Sequence, residues 1–229
     1  SLAEKDSAGK AGANDENVVV IGLGRFGGQV AESLLQLGHE VLGIDEDPEL
    51  VQQWSDELTH VVQADATDED ALMQVGIKEF SRAVVGIGND IEASVLTVLT
   101  LSELGIGDIW AKAVSAKHGR ILRSVGAHHV IFPEATMGER VAHLIASRML
   151  DFIEFDDGFA IAKTRAPRAS ADRTLGDLGF RSKYGVTIVG VKTRGSEFLY
   201  AAPETVVPKD AELVVAGPTE LVQRFSAIT

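Results

Sequence analysis

The hexapeptide Gly22-Leu23-Gly24-Arg25-Phe26-Gly27 sets three glycines at the first, third and sixth positions of one loop. Between a strand and a helix, that spacing holds phosphate. Gly22 permits the tight turn, Gly24 lets a phosphate approach the backbone, and Gly27 allows close packing of helix on strand. The helix N-terminus then offers free N–H groups and the positive end of its dipole to the anion. Arg25 adds a guanidinium fork that suits a terminal phosphate and tilts the ligand toward ATP or ADP; the alternative reading is a solvated residue of the first helical turn. Asp45 follows Gly27 by eighteen residues, with Glu46 next. This is close to the ~20-residue offset at which an acid hydrogen-bonds a ribose diol. The same acid would repel a 2′-phosphate, which disfavours NADP. Asp65-Ala66-Thr67 and Ile87-Gly88-Asn89-Asp90 are expected to line an adenosine pocket. For Asp65, Thr67 and Asp90 the competing reading is helix N-capping.

Elements able to position these residues are legible along the chain. Short apolar runs alternate with helical-period segments, the mark of βαβ units building a parallel sheet. Strands are expected at Val18–Gly22, Glu40–Asp45, His60–Ala64, Arg82–Ile87, Ile109–Ala113 and His128–Phe132. Helices are expected at Phe26–Leu37, Pro48–Ser55, Asp68–Val75, Ile91–Leu104 and Ala116–Val125. The loops at the strand C-terminal ends are where open α/β sheets bind ligands. A helix over Ala135–Leu150 carries Met137, Val141, Leu144, Ile145 and Met149 as one apolar stripe, placed to link domains or to dimerise. Beyond it, strands at Phe159–Thr164, Val186–Lys192, Glu197–Tyr200 and Glu212–Ala216, with helices at Leu175–Phe180 and Thr219–Phe225, predict a small βαβββα unit. The expected organisation is thus a Rossmann-like, doubly wound α/β domain at 17–134, a linking or dimerisation helix at 135–157 and a small α+β domain at 158–229. Ser1–Glu16 lacks an apolar period and is expected as a disordered tail or tag remnant.

Composition narrows the function classes. The formal net charge is -13, so a phosphate lattice would repel most of the surface, which argues against nucleic-acid binding. No apolar run approaches the ~20 residues of a membrane helix, so a soluble, cytoplasmic protein without direct membrane insertion is expected. The absence of cysteine excludes disulfides, thiolate zinc sites and cysteine nucleophiles. Surface or capping roles are expected for His39, His60, His118 and His143, and His128-His129 lacks the i, i+4 spacing of a helical zinc pair. Trp54 and Trp110 read as packing residues.

The segments Val20–Gly27, Gly38-His39-Glu40-Val41, Ala64–Thr67 and Phe132-Pro133-Glu134 resemble the Ktr/Trk potassium-uptake regulators, the RCK or KTN proteins. Leu178–Gly185 is similar to a segment of the RCK C-terminal domain, so the resemblance runs from Asn17 to the C-terminus. It implies a homo-oligomer, a dimer assembling into an octameric ring, at the inner face of the membrane. The ring docks on a membrane potassium-transporting subunit and gates it according to bound nucleotide, with ATP, ADP and in some members NAD or NADH competing for the site. It further implies Arg25 at the terminal phosphate, Asp45 at the ribose, Asp65–Thr67 and Ile87–Asn89 at the adenosine, and Lys112 at a phosphate. Glu134 would stand near the phosphates, where a divalent cation (magnesium or calcium) or sodium can sit. Some members bind cyclic di-AMP between paired C-terminal domains, and Arg181 lies in the matching segment. The regulator reading implies no catalysis. The alternatives are an NAD-dependent oxidoreductase, which needs a proton donor and substrate pocket the sequence does not offer, or a nucleotide-binding scaffold for another transporter.

Overall fold

The computed structural model describes residues 17–155, 157–193 and 195–228. The tail expected at 1–16 lies outside the described residues. Two compact units meet in sequence between Glu134 and Ala135.

The first unit alternates strand and helix: β1 (Asn17–Ile21), α1 (Arg25–Gln36), β2 (Glu40–Asp45), α2 (Pro48–Trp54), β3 (His60–Gln63), α3 (Glu69–Gln74), β4 (Arg82–Val85), α4 (Ile91–Glu103), β5 (Asp108–Lys112), α5 (Ala116–Ser124) and β6 (His129–Ile131). The six strands form one sheet in the order β3-β2-β1-β4-β5-β6, and every pairing is parallel. Val18, Val19, Val20 and Ile21 are all buried, because β1 is covered on both faces. Val19, Ile21 and Ile44 join one core cluster with Val98, Leu101 and Leu122. Val18, Val20 and Leu23 join the other with Ala31 and Leu58.

Helix starts follow their capping residues. Asp47, Asp68, Asp90 and Ser115 each accept a hydrogen bond from a backbone N–H of the turn they open. Helix α1 is different: Gly24 is its N-cap, and no side chain caps it among the described residues. Its first N–H groups are therefore open to a ligand.

His118 departs from its expected surface or capping role. It is 2% exposed on α5, its Nδ1 accepts from the Val114 N–H at 3.3 Å, and its Nε2 has no hydrogen-bond partner among the described residues. Burial pushes its pKa below the ordinary value of 6.5. The unfolded chain binds a proton there more readily than the folded one, so stability is full above about pH 6.5 and declines as pH falls toward the folded value. Imidazole proton NMR should give a His118 midpoint below 6.5; a midpoint at or above it would show that burial does not govern this group.

The second unit contains helix α6 (Pro133–Ser147) from Ala135 onward, then β7 (Asp151–Phe155), β8 (Phe159–Arg165), β9 (Arg173–Thr174), α7 (Leu175–Leu178), α8 (Phe180–Tyr184), β10 (Thr187–Lys192), β11 (Phe198–Tyr200), β12 (Val206–Val207), β13 (Glu212–Pro218) and α9 (Thr219–Ala227). Five strands make an antiparallel sheet in the order β11-β10-β13-β8-β7, and β9 pairs with β12. Phe180 and Tyr184 pack edge-on against Phe225 of α9 in its core.

Several expectations change here. The helix expected to reach Leu150 ends at Ser147, where Arg148 adopts a left-handed φ of 54°, and 151–155 is strand rather than linker. The apolar stripe divides. Leu144 and Met149 pack into this unit's core, whereas Met137, Val141 and Ile145 are exposed. The helix expected at Leu175–Phe180 is two short helices meeting at Gly179. His143 is half-buried: its Nδ1 lies 2.9 Å from Gln223 Nε2 and its ring packs on Phe152. Asp151 pairs with Arg140, which together with the Phe152 N–H holds its carboxyl below the usual range.

Candidate nucleotide site

The sheet order reverses between β1 and β4, and the glycine loop leaves β1 at that point. Gly22 takes φ 87° and its N–H donates to the Ile44 carbonyl at 2.8 Å, fixing the turn over the end of β2. A Cβ on Gly27 would lie 1.8 Å from the Gly22 oxygen, so only glycine lets α1 approach this closely. A Cβ on Gly24 would meet nothing within 4 Å. The loop thus presents open space directly before an uncapped helix.

Asp45, at the end of β2, grips the same loop. Its Oδ2 accepts from the Leu23 N–H at 2.6 Å and its Oδ1 from the Asp47 N–H at 2.9 Å. Each oxygen keeps acceptor capacity for a ribose hydroxyl. Trp54, read from sequence as packing alone, donates its indole N–H to the Leu23 carbonyl at 2.9 Å. Leu23 is therefore held from both of its backbone groups. A Cβ on Gly28 would lie 2.2 Å from the Trp54 ring, so the glycine after the motif makes room for this clamp. That adjacent Gly27-Gly28 pair was the sequence signal for it.

On the β4 side, Lys112 Nζ lies 2.6 Å from Glu134 Oε1, and its side chain is only 13% exposed. It also stands 5.7 Å from the Phe26 ring centroid, and a Cβ on Gly88 would come within 3.1 Å of its Nζ. Lys112 thus ties together the first turn of α1, the loop after β4 and the start of α6. Its hydrogen bond, reinforced by the charge of Arg25, holds the Glu134 carboxyl below the usual range. Arg25 is exposed, and among the described residues its guanidinium makes no hydrogen bond or close ion pair. Ile87 covers Gly22, its Cγ1 standing 3.1 Å from where a Cβ would be, and Asn89 is exposed beyond it.

The remaining candidates are placed less uniformly. Asp65 Oδ1 accepts from both the N–H and the hydroxyl of Thr67, which lowers its pKa. This turn caps no helix; Asp68 caps α3 and Asp90 caps α4, so the capping alternative holds for Asp90 alone. Ala66 is 7% exposed and belongs to the core cluster. Glu46 is exposed, and its carbonyl accepts from the Gln63 side chain. Glu134 brings one carboxylate, already bonded to Lys112, and no group of three or more candidate metal ligands forms among the described residues.

A six-stranded parallel sheet with a glycine loop and an uncapped helix at its switch point defines a Rossmann-type nucleotide-binding domain. A family model described as the TrkA-N domain matches residues 18–133, and one described as the TrkA-C domain matches residues 164–229. The chain belongs to this TrkA-N/TrkA-C family of potassium-uptake proteins. It is 38% identical to Ktr system potassium uptake protein A of Bacillus subtilis (strain 168) over 212 residues, 92% of this chain and 96% of that one. It is also 38% identical to Ktr system potassium uptake protein C of the same organism, covering 90% and 94%. Among solved structures, the GsuK channel bound to NAD shares the fold at a TM-score of 0.62 and 21% identity, covering 95% of this chain and 39% of that one. GsuK bound to ADP aligns at a TM-score of 0.50 and 27% identity, covering 59% and 35%. The chain therefore spans well under half of those channel polypeptides.

Proposed function

We propose that this chain is a nucleotide-sensing subunit of a potassium-uptake system, without catalytic activity of its own. In this reading it binds ATP or ADP at the glycine loop and gates a membrane potassium-transporting subunit from its cytoplasmic side. The observation that carries the reading is the convergence of the uncapped start of α1 with Lys112 and Arg25, two cations fit for phosphate. Ktr potassium uptake proteins as full-length relatives supply the transport context. No described helix is long and apolar enough to cross a membrane, so transport would belong to a partner.

The roles divide by position. The α1 N-terminus and Lys112 hold the inner phosphates, Asp45 the ribose, and Asp65, Thr67 and the Ile87–Asn89 loop border the adenosine. NAD or NADH would compete for the same site, a reading favoured by Asp45 at the ribose position and by the NAD-bound GsuK neighbour. Arg25 discriminates ATP from ADP because it is exposed beside the helix start and its guanidinium makes no hydrogen bond or close ion pair among the described residues. Differential contact of this kind is what gating requires, since a ligand shifts an equilibrium only by its differential affinity for the two states. Calorimetry with Arg25→Ala should bring the ATP and ADP affinities to within about threefold of each other, as expected for loss of one charge-assisted contact. An unchanged ratio of the two affinities would remove Arg25 from that role. Solution mass and capture of the membrane subunit test the assembly, for which a homo-oligomeric ring is the proposed form.

A further inference from the structure

Acids outnumber bases 34 to 21 in this chain, so basic side chains gathered without carboxylate partners are unusual. The second unit has such a gathering. Two adjoining concavities, of about 440 and 430 Å³, share Ala166, Arg168 and Asp210 in their walls. Lys209 lines one; Arg148, Leu150 and Arg165 line the other. All four cations are exposed, and none has a side-chain ion pair or hydrogen bond among the described residues. Lys163, two residues before Arg165 on β8, is by contrast neutralised by Glu212 at 2.7 Å.

The cleft is also built on a fixed backbone. Arg148 and Asp210 are non-glycine residues in the left-handed region, at φ 54° and 58°. Such conformations persist only where surrounding structure imposes them, and they concentrate at functional sites. Here the Leu150 N–H donates to the Lys163 carbonyl, the Ala166 N–H to the Ala211 carbonyl and the Ala211 N–H to the Pro208 carbonyl. Leu150, Ala166, Pro167 and Pro208 add apolar surface to the same lining.

We infer that this cleft binds a small phosphorylated anion. Guanidinium groups bind phosphate oxygens in bidentate geometry, and an ammonium adds a point charge. The apolar surface accepts the remainder of an ester, and Asp210 is placed to accept from one of its hydroxyls. Arg181 does not line the cleft, and neither does any residue of the glycine-loop site.

The test is arginine-specific labelling of the full chain with phenylglyoxal, read residue by residue by mass spectrometry. Inorganic pyrophosphate should lower labelling of Arg165 and Arg168 by ~5-fold or more, and leave exposed Arg120 and Arg181 unchanged. Arg168→Gln, an exposed substitution that preserves the fold, should abolish protection of Arg165. Vesicles of phosphatidylcholine with and without phosphatidylglycerol separate the two sources of phosphate. Protection only by the anionic vesicles assigns the site to a lipid headgroup, and protection by pyrophosphate assigns it to a soluble ester. Absence of protection in both arms, or an equal fall at every exposed arginine, would overturn the site.

Discussion

Gly27→Ala should abolish nucleotide binding and destabilise the first unit by about 3 kcal/mol or more, at the upper end of overpacking costs. The reason is geometric. The new Cβ would lie 1.8 Å from the Gly22 oxygen, which is backbone and cannot rotate away. Relief requires α1 to lift from β1, which moves its N-terminal N–H groups off the switch point and opens the cluster of Val18, Val20 and Ala31. Denaturant unfolding followed by Trp54 fluorescence measures the loss, because Trp54 packs against the same helix at Gly28. A variant within 1 kcal/mol of wild type, judged against that ~3 kcal/mol scale, would mean that α1 does not sit this closely on the loop.

Lys112→Met is expected to act on binding with little effect on folding. Methionine keeps the stem against Phe26 and Gly88 and removes only the ammonium. Hydrogen bonds to charged groups contribute about 1.5–3 kcal/mol, so ATP and ADP should both bind roughly 10- to 150-fold more weakly. Glu134 should respond as well. Its carboxyl is held low chiefly by the Lys112 hydrogen bond, so its pKa should rise toward the usual carboxylate range in the variant. Calorimetry reads the first effect and carbon-detected NMR of the carboxyl the second. Retained affinity alongside the raised Glu134 pKa would confine Lys112 to holding Glu134.

The sequence made the first unit legible because its signals are local. Strands covered on both faces are continuous Val and Ile runs, and three of the helices after the first open on an aspartate. The ends of those runs located the loops after β1 to β5, and with them most of the candidate site. What the sequence hid was set by tertiary contact. Asp45 was legible as an acid near a ribose, but its grip on the Leu23 N–H depends on the spacing of β1 and β2. Trp54 carried no polar signature, yet its indole N–H meets the Leu23 carbonyl across 31 positions of chain. His118 looked like a surface residue on a polar helix and turned out to be buried. Ala66 stood in a promising loop and points into the core.

The second unit was less legible because its edge strands lack a clean alternation. In β7 only Phe152 is buried, while Ile153 and Phe155 are exposed. The apolar stripe of α6 also runs on in sequence through Met149 and Leu150, although the left-handed backbone at Arg148 has already ended the helix.

Calorimetric titration of Gly24→Ala with ADP reads whether an adenine nucleotide lies against the backbone at Gly24. The methyl group meets nothing within 4 Å among the described residues, so the fold should lose under about 1 kcal/mol, the cost of alanine in place of glycine at an N-cap. In the bound state the same methyl group occupies the approach of the phosphate. Wild type should bind one ADP per chain and the variant should bind it at least ~30-fold more weakly, with an unfolding free energy within about 1 kcal/mol of wild type. Undiminished ADP affinity in Gly24→Ala, or no adenine-nucleotide binding by the wild-type chain, would contradict that placement.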